Sequence, residues 1–455
     1  MVTMEWAAHI VRARYEAIGE ETVHWAKTRI LDILGCIVAG TKAQGSRELV
    51  DLVLEWGGKK EAQILVYGEK VPASNASMVN AILARSFDFG PVHPEFEGKG
   101  FPGHISETSI PCALAVGEAL GKTGKEILTA LIVGEDLASR LLAASEFDLS
   151  QGFDCIGTAN AFASCAISAR LMGLDEVETR NAFGILLTLI GGSLQAVWDG
   201  CTSFKLVQGV AAKNGVLAAS LAKKGWTGPK DALFSRHGYF SLFTKGVAHE
   251  EVLTRDLGTR FYTDSSIKPY PSCRGTHPYI DCALAIQKKH GIRGEEIEEV
   301  TLYFPPKGLS SFISQPFELG PFPQGSAIFS VQYTVAVALL EGRLLPSHLE
   351  PEAISRPDIV SFAKAIRLEE STDLLPLSGR VKVRTKDGRE IVEFQPVPRG
   401  HRRASPLSRE EIERKFLNNL TYTGRGLEHR AERILELVEK FEELPDIGRL
   451  LGIFS

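Results

Sequence analysis

A long segment rich in glycine and proline carries the side chains best suited to chemistry. It runs from Ser86 to Pro111, between two helical stretches, and contains Asp88, His93 and His104. Connections of this length inside a compact domain are usually functional or disordered, and the aromatic residues here favour function. One carboxylate with two imidazoles can take up and release protons. The sequence therefore predicts acid–base catalysis centred on the loop from Asp88 to His104.

The same loop leaves two other interpretations open. Asp88, His93, Glu95 and His104 could bind a metal ion, because the spacing of residues in a loop does not exclude such a set. The histidines could also be ordinary surface residues, with Asp88 capping a helix. We favour the acid–base interpretation and expect no metal.

Two further polar groups lie far from this loop in the chain. Lys205 stands between apolar helical stretches, where a lysine often only extends its amine to solvent. Lys268, Arg274 and His277 lie in a turn fixed by proline and glycine, where a histidine could equally cap or pack a helix. If the groups act together, they must meet at a cleft between domains, where small-molecule sites are common.

The sequence lacks the signatures of several common chemistries. It contains no phosphate-binding GxxxxGK[ST] loop, no GxGxxG placed between a strand and a helix, no HExxH and no GxSxG. We therefore expect no cofactor and a catalyst that uses side chains alone. A binding protein without chemistry remains an alternative.

The composition is that of an ordinary folded protein. The chain has 455 residues, a net charge of −5 and 44% hydrophobic residues, which favours two domains and makes nucleic-acid binding a poor expectation. No apolar run approaches the length of about 18 residues needed to cross a membrane. The seven cysteines are odd in number and without CxxC spacing, so we expect reduced thiols in a cytoplasmic protein.

Hydrophobic periodicity predicts a mainly α fold with a large helical domain and a smaller α+β domain. We expect the helical domain at 1–264, with 401–455 returning to it, and the α+β domain at 265–400. The predicted helices of the first domain are Thr22–Val38, Ala73–Phe87, Ser109–Leu120, Lys125–Ala144, Ala159–Met172, Glu176–Leu189 and Gly209–Lys223. Frequent glycine and alanine within them predict close approach between helices.

In the second domain, Glu298–Phe304 alternates like a strand, and Lys386–Arg389 separates two further alternating runs. An Asp-Gly step between such runs predicts a hairpin. Helices are expected at His277–His290 and Ser330–Leu340. The tail is expected to form helices at Arg409–Leu417 and Glu428–Phe441.

Several segments, taken in order along nearly the whole chain, resemble the motifs of one family. Ala84–His93 is similar to an AHALDFDDxH element, and Pro111–Arg140 is similar to a PAALAxAE…G…A…GxE…R stretch. The other matching segments are Leu31–Gly35, Arg170–Asp175, Lys268–His277, Ala327–Gly342 and Glu411–Phe416. Each match is modest, but their shared order makes the chain resemble the MmgE/PrpD family.

The resemblance implies a helical domain formed by both chain ends, with an α+β lid domain inserted between them. It also implies a homodimer that uses neither metal nor organic cofactor and accepts a small di- or tricarboxylate. By motif, Asp88 corresponds to the first aspartate of the DFDD element, and His104 to the histidine of an HPS motif. Lys205 corresponds to the family's pocket lysine, and His277 to the histidine of its lid motif.

The chain departs from the family pattern at four positions near these residues. Gly90 and Pro91 replace two aspartates, and Val92 replaces the threonine of the family's decarboxylases. Asp154 stands where the family has the histidine of a GWH or GFH motif, which changes the charge and the pH range of proton transfer. The resemblance therefore predicts the type of chemistry without fixing the reaction.

Dehydration, decarboxylation and epimerisation of polycarboxylates all develop negative charge on carbon next to a carboxylate. We expect His104 and His277 to exchange protons and Lys205 to anchor the substrate. Asp88 is expected to orient a histidine. The remaining residues expected to bind substrate are Arg274, Lys268, Asp154 and His93.

We expect a lyase of the hydratase or dehydratase type. An isomerase or epimerase that uses two bases is the main alternative, and a decarboxylase is the next. A protein that binds carboxylates without changing them is the remaining one.

Overall fold

The structure, a computed structural model, describes residues 1–147 and 152–455. Helices contain 57% of the residues and strands 9%, which confirms the predicted mainly α fold with a smaller α+β part. All seven cysteines, each within the described residues, are free thiols. Within the same ranges, no helix combines the length and apolar character that a membrane crossing requires.

The first half of the chain is helical, as its periodicity predicts. Its helices are α1 (Val2–Arg12), α2 (Glu20–Gly40), α3 (Ser46–Trp56), α4 (Ala73–Arg85), α5 (Ser106–Ala119), α6 (Gly124–Ala144), α7 (Cys155–Met172), α8 (Glu176–Leu187), α9 (Gln195–Trp198), α10 (Leu206–Lys223) and α11 (Tyr239–Phe243). Two short antiparallel pairs, β1 (Ala62–Gln63) with β2 (Lys70–Val71) and β3 (Glu95–Phe96) with β4 (Lys99–Gly100), lie in the connections. The predicted helices of this region are confirmed to within a few residues, whereas α1 and α3 were not singled out.

Glycines bring the helices of this region close together. A Cβ atom on Gly215 of α10 would lie 2.3 Å from Ser164 Oγ of α7. A Cβ atom on Gly209 would lie 2.6 Å from the side chain of Ile82 on α4. Any larger residue would push these helices apart, so the predicted close approach is confirmed.

The α+β part contains a four-stranded sheet in the order β6-β5-β7-β8. Its elements are α12 (His277–His290), β5 (Ile297–Phe304), α13 (Pro323–Ile328), α14 (Val331–Glu341), α15 (Pro351–Ile354), α16 (Pro357–Ala365), β6 (Arg367–Glu370), β7 (Gly379–Thr385) and β8 (Glu390–Gln395). The predicted hairpin joins β7 to β8, with Gly388 at φ +86°. Strand β6 pairs parallel with β5 and was not predicted, because its residues are polar and mostly exposed.

The chain ends in α17 (Arg409–Tyr422), α18 (Ala431–Glu439) and α19 (Gly448–Leu451). Helices α17 and α18 pack against α2. Their residues Phe416, Leu420 and Ile434 belong to the same apolar core as Ile30 and Leu34 of α2. The last helices therefore share a core with the first ones, while the exact division at residues 264 and 400 stays a prediction.

Lys415 of α17 connects three segments inside this core. Its Nζ lies 2.6 Å from Asp32 Oδ1 on α2 and donates to the Phe89 carbonyl oxygen at 2.7 Å. Both charged side chains are buried, and burial raises the pKa of the Asp32 carboxyl even beside the lysine. Helix α17 thereby holds the backbone of the loop that carries Asp88.

Replacing Lys415 by alanine should lower the free energy of unfolding by about 3–5 kcal/mol, because the Asp32 carboxylate then stays buried without its partner. Urea unfolding followed by circular dichroism measures the change. Arg414→Ala is the matched control, since Arg414 lies on the same helix with its side chain 66% exposed. It should change the value by less than about 0.5 kcal/mol. Equal destabilisation by both substitutions would contradict a stabilising role for the Lys415 contacts.

Candidate active site

The site is built at the end of helix α4 and in the loop that follows it. The Asp88 N–H donates to the Arg85 carbonyl oxygen at 2.8 Å, and Asp88 has a φ of +46°. Aspartate adopts this left-handed conformation more readily than most residues. The turn brings the Arg85 and Asp88 side chains into contact as a buried ion pair.

Three more side chains join this pair. Arg85 Nη1 lies 3.0 Å from His104 Nδ1 and 3.4 Å from Glu107 Oε2. Lys268 Nζ lies 2.6 Å from Asp88 Oδ1 and donates to the Asp88 carbonyl oxygen at 2.7 Å. The structure therefore brings the predicted residues Asp88, His104 and Lys268 together. We call these three residues, together with Arg85 and Glu107, the charged cluster.

Glu107 takes the space that a side chain at position 90 would need. A Cβ atom on Gly90 would lie 2.6 Å from both Cγ and Oε1 of Glu107. The Gly90 N–H instead donates to Glu107 Oε1 at 3.1 Å, and Gln208 Nε2 donates to Oε2 at 3.1 Å. The aspartate of the family pattern at position 90 is thus absent, and α5 supplies a carboxylate to the same place.

The pKa values of the two carboxyl groups in the cluster are shifted in opposite directions. Burial would raise the pKa of Asp88, but the charges of Arg85 and Lys268 outweigh it and hold that pKa below its ordinary value. Burial raises the pKa of Glu107, and Arg85 offsets only part of this effect. Paired groups whose environments separate their pKa values are typical of acid–base sites.

The surroundings of His104 favour its neutral form. Burial, followed by the positive charge of Arg85, lowers the pKa of His104 well below its ordinary value. The arginine can only donate, so the ring nitrogen that accepts from it must be unprotonated. Asp88 Oδ1 at 3.7 Å and Glu107 Oε2 at 3.4 Å lie near the same Nδ1 atom and favour the charged ring. Because Arg85 favours the neutral ring and Asp88 favours the charged ring, His104 is suited to gain and lose a proton.

Of the side chains in the cluster, that of His104 is the most exposed. The His104 side chain is 14% exposed, whereas those of Asp88 and Glu107 are at most 2% exposed. His93 and Cys273 interact electrostatically with members of the cluster, and both side chains are also partly exposed. A small molecule that approaches from this side meets the imidazole before it meets the carboxylates.

Lys205 lies just before α10, beside the end of α4. Its Nζ donates to the Gln44 carbonyl oxygen at 2.6 Å and to Ser86 Oγ at 3.3 Å. The side chain is buried rather than extended to solvent, and burial lowers the pKa of Lys205 to about 8. Lys205 thus contacts Ser86, the residue that follows Arg85 in the chain. Its role as substrate anchor stays a prediction.

Arg274 and His277 form a separate group at the start of α12. Arg274 Nη1 donates to the Arg399 carbonyl oxygen at 2.6 Å, and Nη2 donates to that of Pro398 at 3.0 Å. His277 is fully buried, with Nδ1 3.3 Å from Arg274 Nη1 and Nε2 3.3 Å from the Ser272 carbonyl oxygen. Burial and the Arg274 charge lower the pKa of His277 well below its ordinary value. Both ring nitrogens are engaged, so its predicted pairing with His104 stays a prediction.

Asp154 and His93 have local contacts of their own. Asp154 caps α7, where its Oδ1 accepts the Ile156 N–H at 2.9 Å, and burial raises its pKa. His93 has a φ of +54°, and its N–H donates to the Gly103 carbonyl oxygen at 3.0 Å. Burial, followed by the charge of Arg274, lowers the pKa of His93 to about 3. Substrate binding by either residue stays a prediction.

The cluster also has the spacing of a metal site. Ligand atoms of Asp88, His104 and Glu107 lie within 4.8 Å of one another. However, Arg85 Nη1 contacts all three side chains and supplies the positive charge that a metal ion would bring. Glu95, from the metal set considered in the sequence, instead lies 3.5 Å from His401 Nε2. These residues fit a metal ion only if Arg85 moves away.

The sequence analysis did not single out Arg85 or Glu107 as site residues. One signal for Arg85 was available, because it occupies the histidine position of the AHALDFDDxH pattern. Both residues lie within or beside helical stretches, where a charged residue is usually solvent-facing. Their burial against each other depends on packing that periodicity does not reveal.

Comparisons with known proteins cover nearly the whole chain. Residues 5–251 match the MmgE/PrpD N-terminal domain, and residues 270–443 match the MmgE/PrpD C-terminal domain. The chain is 26% identical to a cis-aconitate decarboxylase of Mus musculus, over 100% of this chain and 93% of that protein. It is 25% identical to cis-aconitate decarboxylases of Aspergillus terreus, over 99% of this chain and 94% of that protein, and of Homo sapiens, over 100% and 94%. With both domains matched in order, the chain belongs to the MmgE/PrpD family.

Proposed function

We propose that the protein is a lyase, independent of metal and cofactor, that acts on a small di- or tricarboxylate. It removes or returns a proton at the carbon next to a carboxylate. The observation that carries the proposal is the neutral, partly exposed imidazole of His104, held between the Arg85 guanidinium and two carboxyls. Such an imidazole can act as a general base near neutral pH.

The charge balance of the cluster supports an anionic substrate. Arg85 and Lys268 bring two positive charges, and Asp88 with its lowered pKa brings one negative charge. The raised pKa of Glu107 favours its neutral form. An incoming carboxylate meets the positive charges of Arg85 and Lys268 in a region with little water, where charge interactions are strong.

In the proposed mechanism, His104 takes the proton from the carbon next to the substrate carboxylate. The imidazolium that forms is stabilised by the Asp88 carboxylate, whose Oδ1 lies 3.7 Å from Nδ1. The cations stabilise the negative charge that develops on the substrate. Lys205 and Arg274 are proposed to bind further substrate carboxylates.

We propose dehydration, or hydration in the reverse direction, as the reaction. Dehydration at this position begins with proton removal by the neutral histidine, and the imidazolium then protonates the departing hydroxyl group, which leaves as water and returns His104 to its neutral form. The carbanion left by decarboxylation instead needs a proton donor from the start. Decarboxylation is the second candidate, because the relatives named above are cis-aconitate decarboxylases. Epimerisation requires a second base, and His277, the other histidine predicted to transfer protons, is fully buried.

One experiment separates these reactions. The protein is incubated in D₂O with a panel of di- and tricarboxylates, with and without prior chelation of metals, and the products are followed by NMR. We expect loss or addition of water, with turnover unchanged by chelation. Release of CO₂ would support decarboxylation, and deuterium exchange alone would support epimerisation. Unchanged substrates throughout would contradict an enzymatic function. Sedimentation tests the homodimer that we also propose.

His104→Gln should lower kcat by about 10²- to 10⁴-fold, because it removes the proposed base. His277→Gln should mainly raise KM if His277 positions Arg274, and should lower kcat as strongly if it transfers protons. His429→Gln is the control, because the His429 side chain is 84% exposed. Steady-state kinetics on the substrate found by NMR decide the matter. Full turnover by His104→Gln would refute the assignment.

The acidic limb of the kcat/KM profile should lie below pH 6.5. Burial and Arg85 lower the pKa of His104, so the ring stays neutral, and active as a base, until the pH falls through that lowered value. The profile is measured over the range in which circular dichroism shows a folded protein, and is corrected for ionisation of the substrate. An acidic limb above pH 6.5 would argue that another group is the base.

A further inference from the structure

A cavity lies between the loop that carries Asp88 and helix α17. Its volume is about 190 Å³, and Phe89 forms part of its wall. Other lining residues come from α12 and the turn before it, from the segment just after α14, from the segment before α17 and from α17 itself. The cavity therefore lies where helix α17 meets the α+β part of the chain.

Positive charge dominates this cavity. Four of its lining residues are cations, namely Arg343, Arg399, Arg414 and Lys415, and one is a carboxylate, Glu411. Glu411 pairs with Arg399 and lies 3.9 Å from Arg414, so one carboxylate serves two guanidiniums. Arg343 is exposed at the rim. An anion that enters the cavity is attracted by more charge than the protein itself neutralises.

Two of these cations already have a carboxylate partner. Lys415 pairs with Asp32, and Arg399 pairs with Glu411. Arg343 and Arg414 are therefore the lining cations that a ligand would meet.

We infer that this cavity binds a small organic anion with at least two negative charges, at a site separate from the candidate active site. The carbon body of the ligand would pack on Phe89, and its charged groups would pair with Arg343 and Arg414. This inference does not depend on which reaction the charged cluster catalyses.

Two lining residues connect the cavity to the candidate active site. The Arg399 carbonyl oxygen accepts from Arg274 Nη1 at 2.6 Å, and the Lys415 ammonium holds the Phe89 carbonyl oxygen at 2.7 Å. A ligand that contacts these two residues therefore acts on the anchors of Arg274 and of the Asp88 loop. Occupancy of the cavity is expected to change KM for the substrate.

Calorimetric titration of the full chain with citrate at fixed ionic strength tests the inference. Arg343→Ala and Arg414→Ala should each weaken citrate binding by about tenfold or more, because each removes a charge-assisted contact with the ligand. Arg433→Ala is the control, since Arg433 is exposed on α18 outside the cavity, and should bind like the unaltered protein. Circular dichroism confirms that each variant is folded.

Citrate bound by a pocket elsewhere, including the charged cluster, would survive both cavity substitutions, and that result would overturn the inference. Acetate and inorganic phosphate serve as the other probes. Binding of acetate as tight as that of citrate would refute the need for two charges. Tight binding of phosphate with none of citrate would refute an organic ligand.

Discussion

The guanidinium of Arg85 is the group on which the rest of the site depends. It contacts the carboxyls of Asp88 and Glu107 and the ring of His104, all of them buried or nearly so. Two carboxyls this close would repel each other, and burial would favour their neutral forms, if no cation lay between them. The arginine keeps its charge at any physiological pH, whereas His104 and Glu107 can change theirs. Because the charge of Arg85 is constant, the side chains around it keep their positions when His104 and Glu107 gain or lose protons.

The helices around α4 are arranged so that this cluster can form. Gly209 of α10 lies so close to α4 that a Cβ atom there would meet Ile82 at 2.6 Å. The preceding residue, Gln208, donates to Glu107 of α5 at 3.1 Å. The small residues that allow close packing thus also bring polar side chains from α5 and α10 to the end of α4. From the opposite end of the chain, Lys415 holds the loop beyond Asp88.

The sequence predicted most of the fold and about half of the cluster, for physical reasons. Helical periodicity is a local property, so α12 was predicted at its exact bounds, His277–His290. Strand β6 was missed because its pairing with β5 is set by the rest of the sheet. Asp88, His104 and Lys268 were recognised because polar residues in an irregular segment need a reason to be there. Arg85 and Glu107 lie in regular stretches, and only tertiary packing shows them to be buried.

The position of the carboxyl groups separates this chain from the family pattern it otherwise follows. A side chain at position 90 and the carboxylate of Glu107 compete for one volume, since a Cβ atom at Gly90 would lie 2.6 Å from Glu107 Oε1. In this chain the position is glycine, and the carboxyl group that fills the volume belongs to Glu107 on helix α5. A helix holds a carboxyl more rigidly, and in this place its pKa is raised by burial. Because one of the two carboxyl groups next to His104 comes from a position outside the family's DFDD element, likeness to a relative does not by itself fix how the proton is handled in this chain.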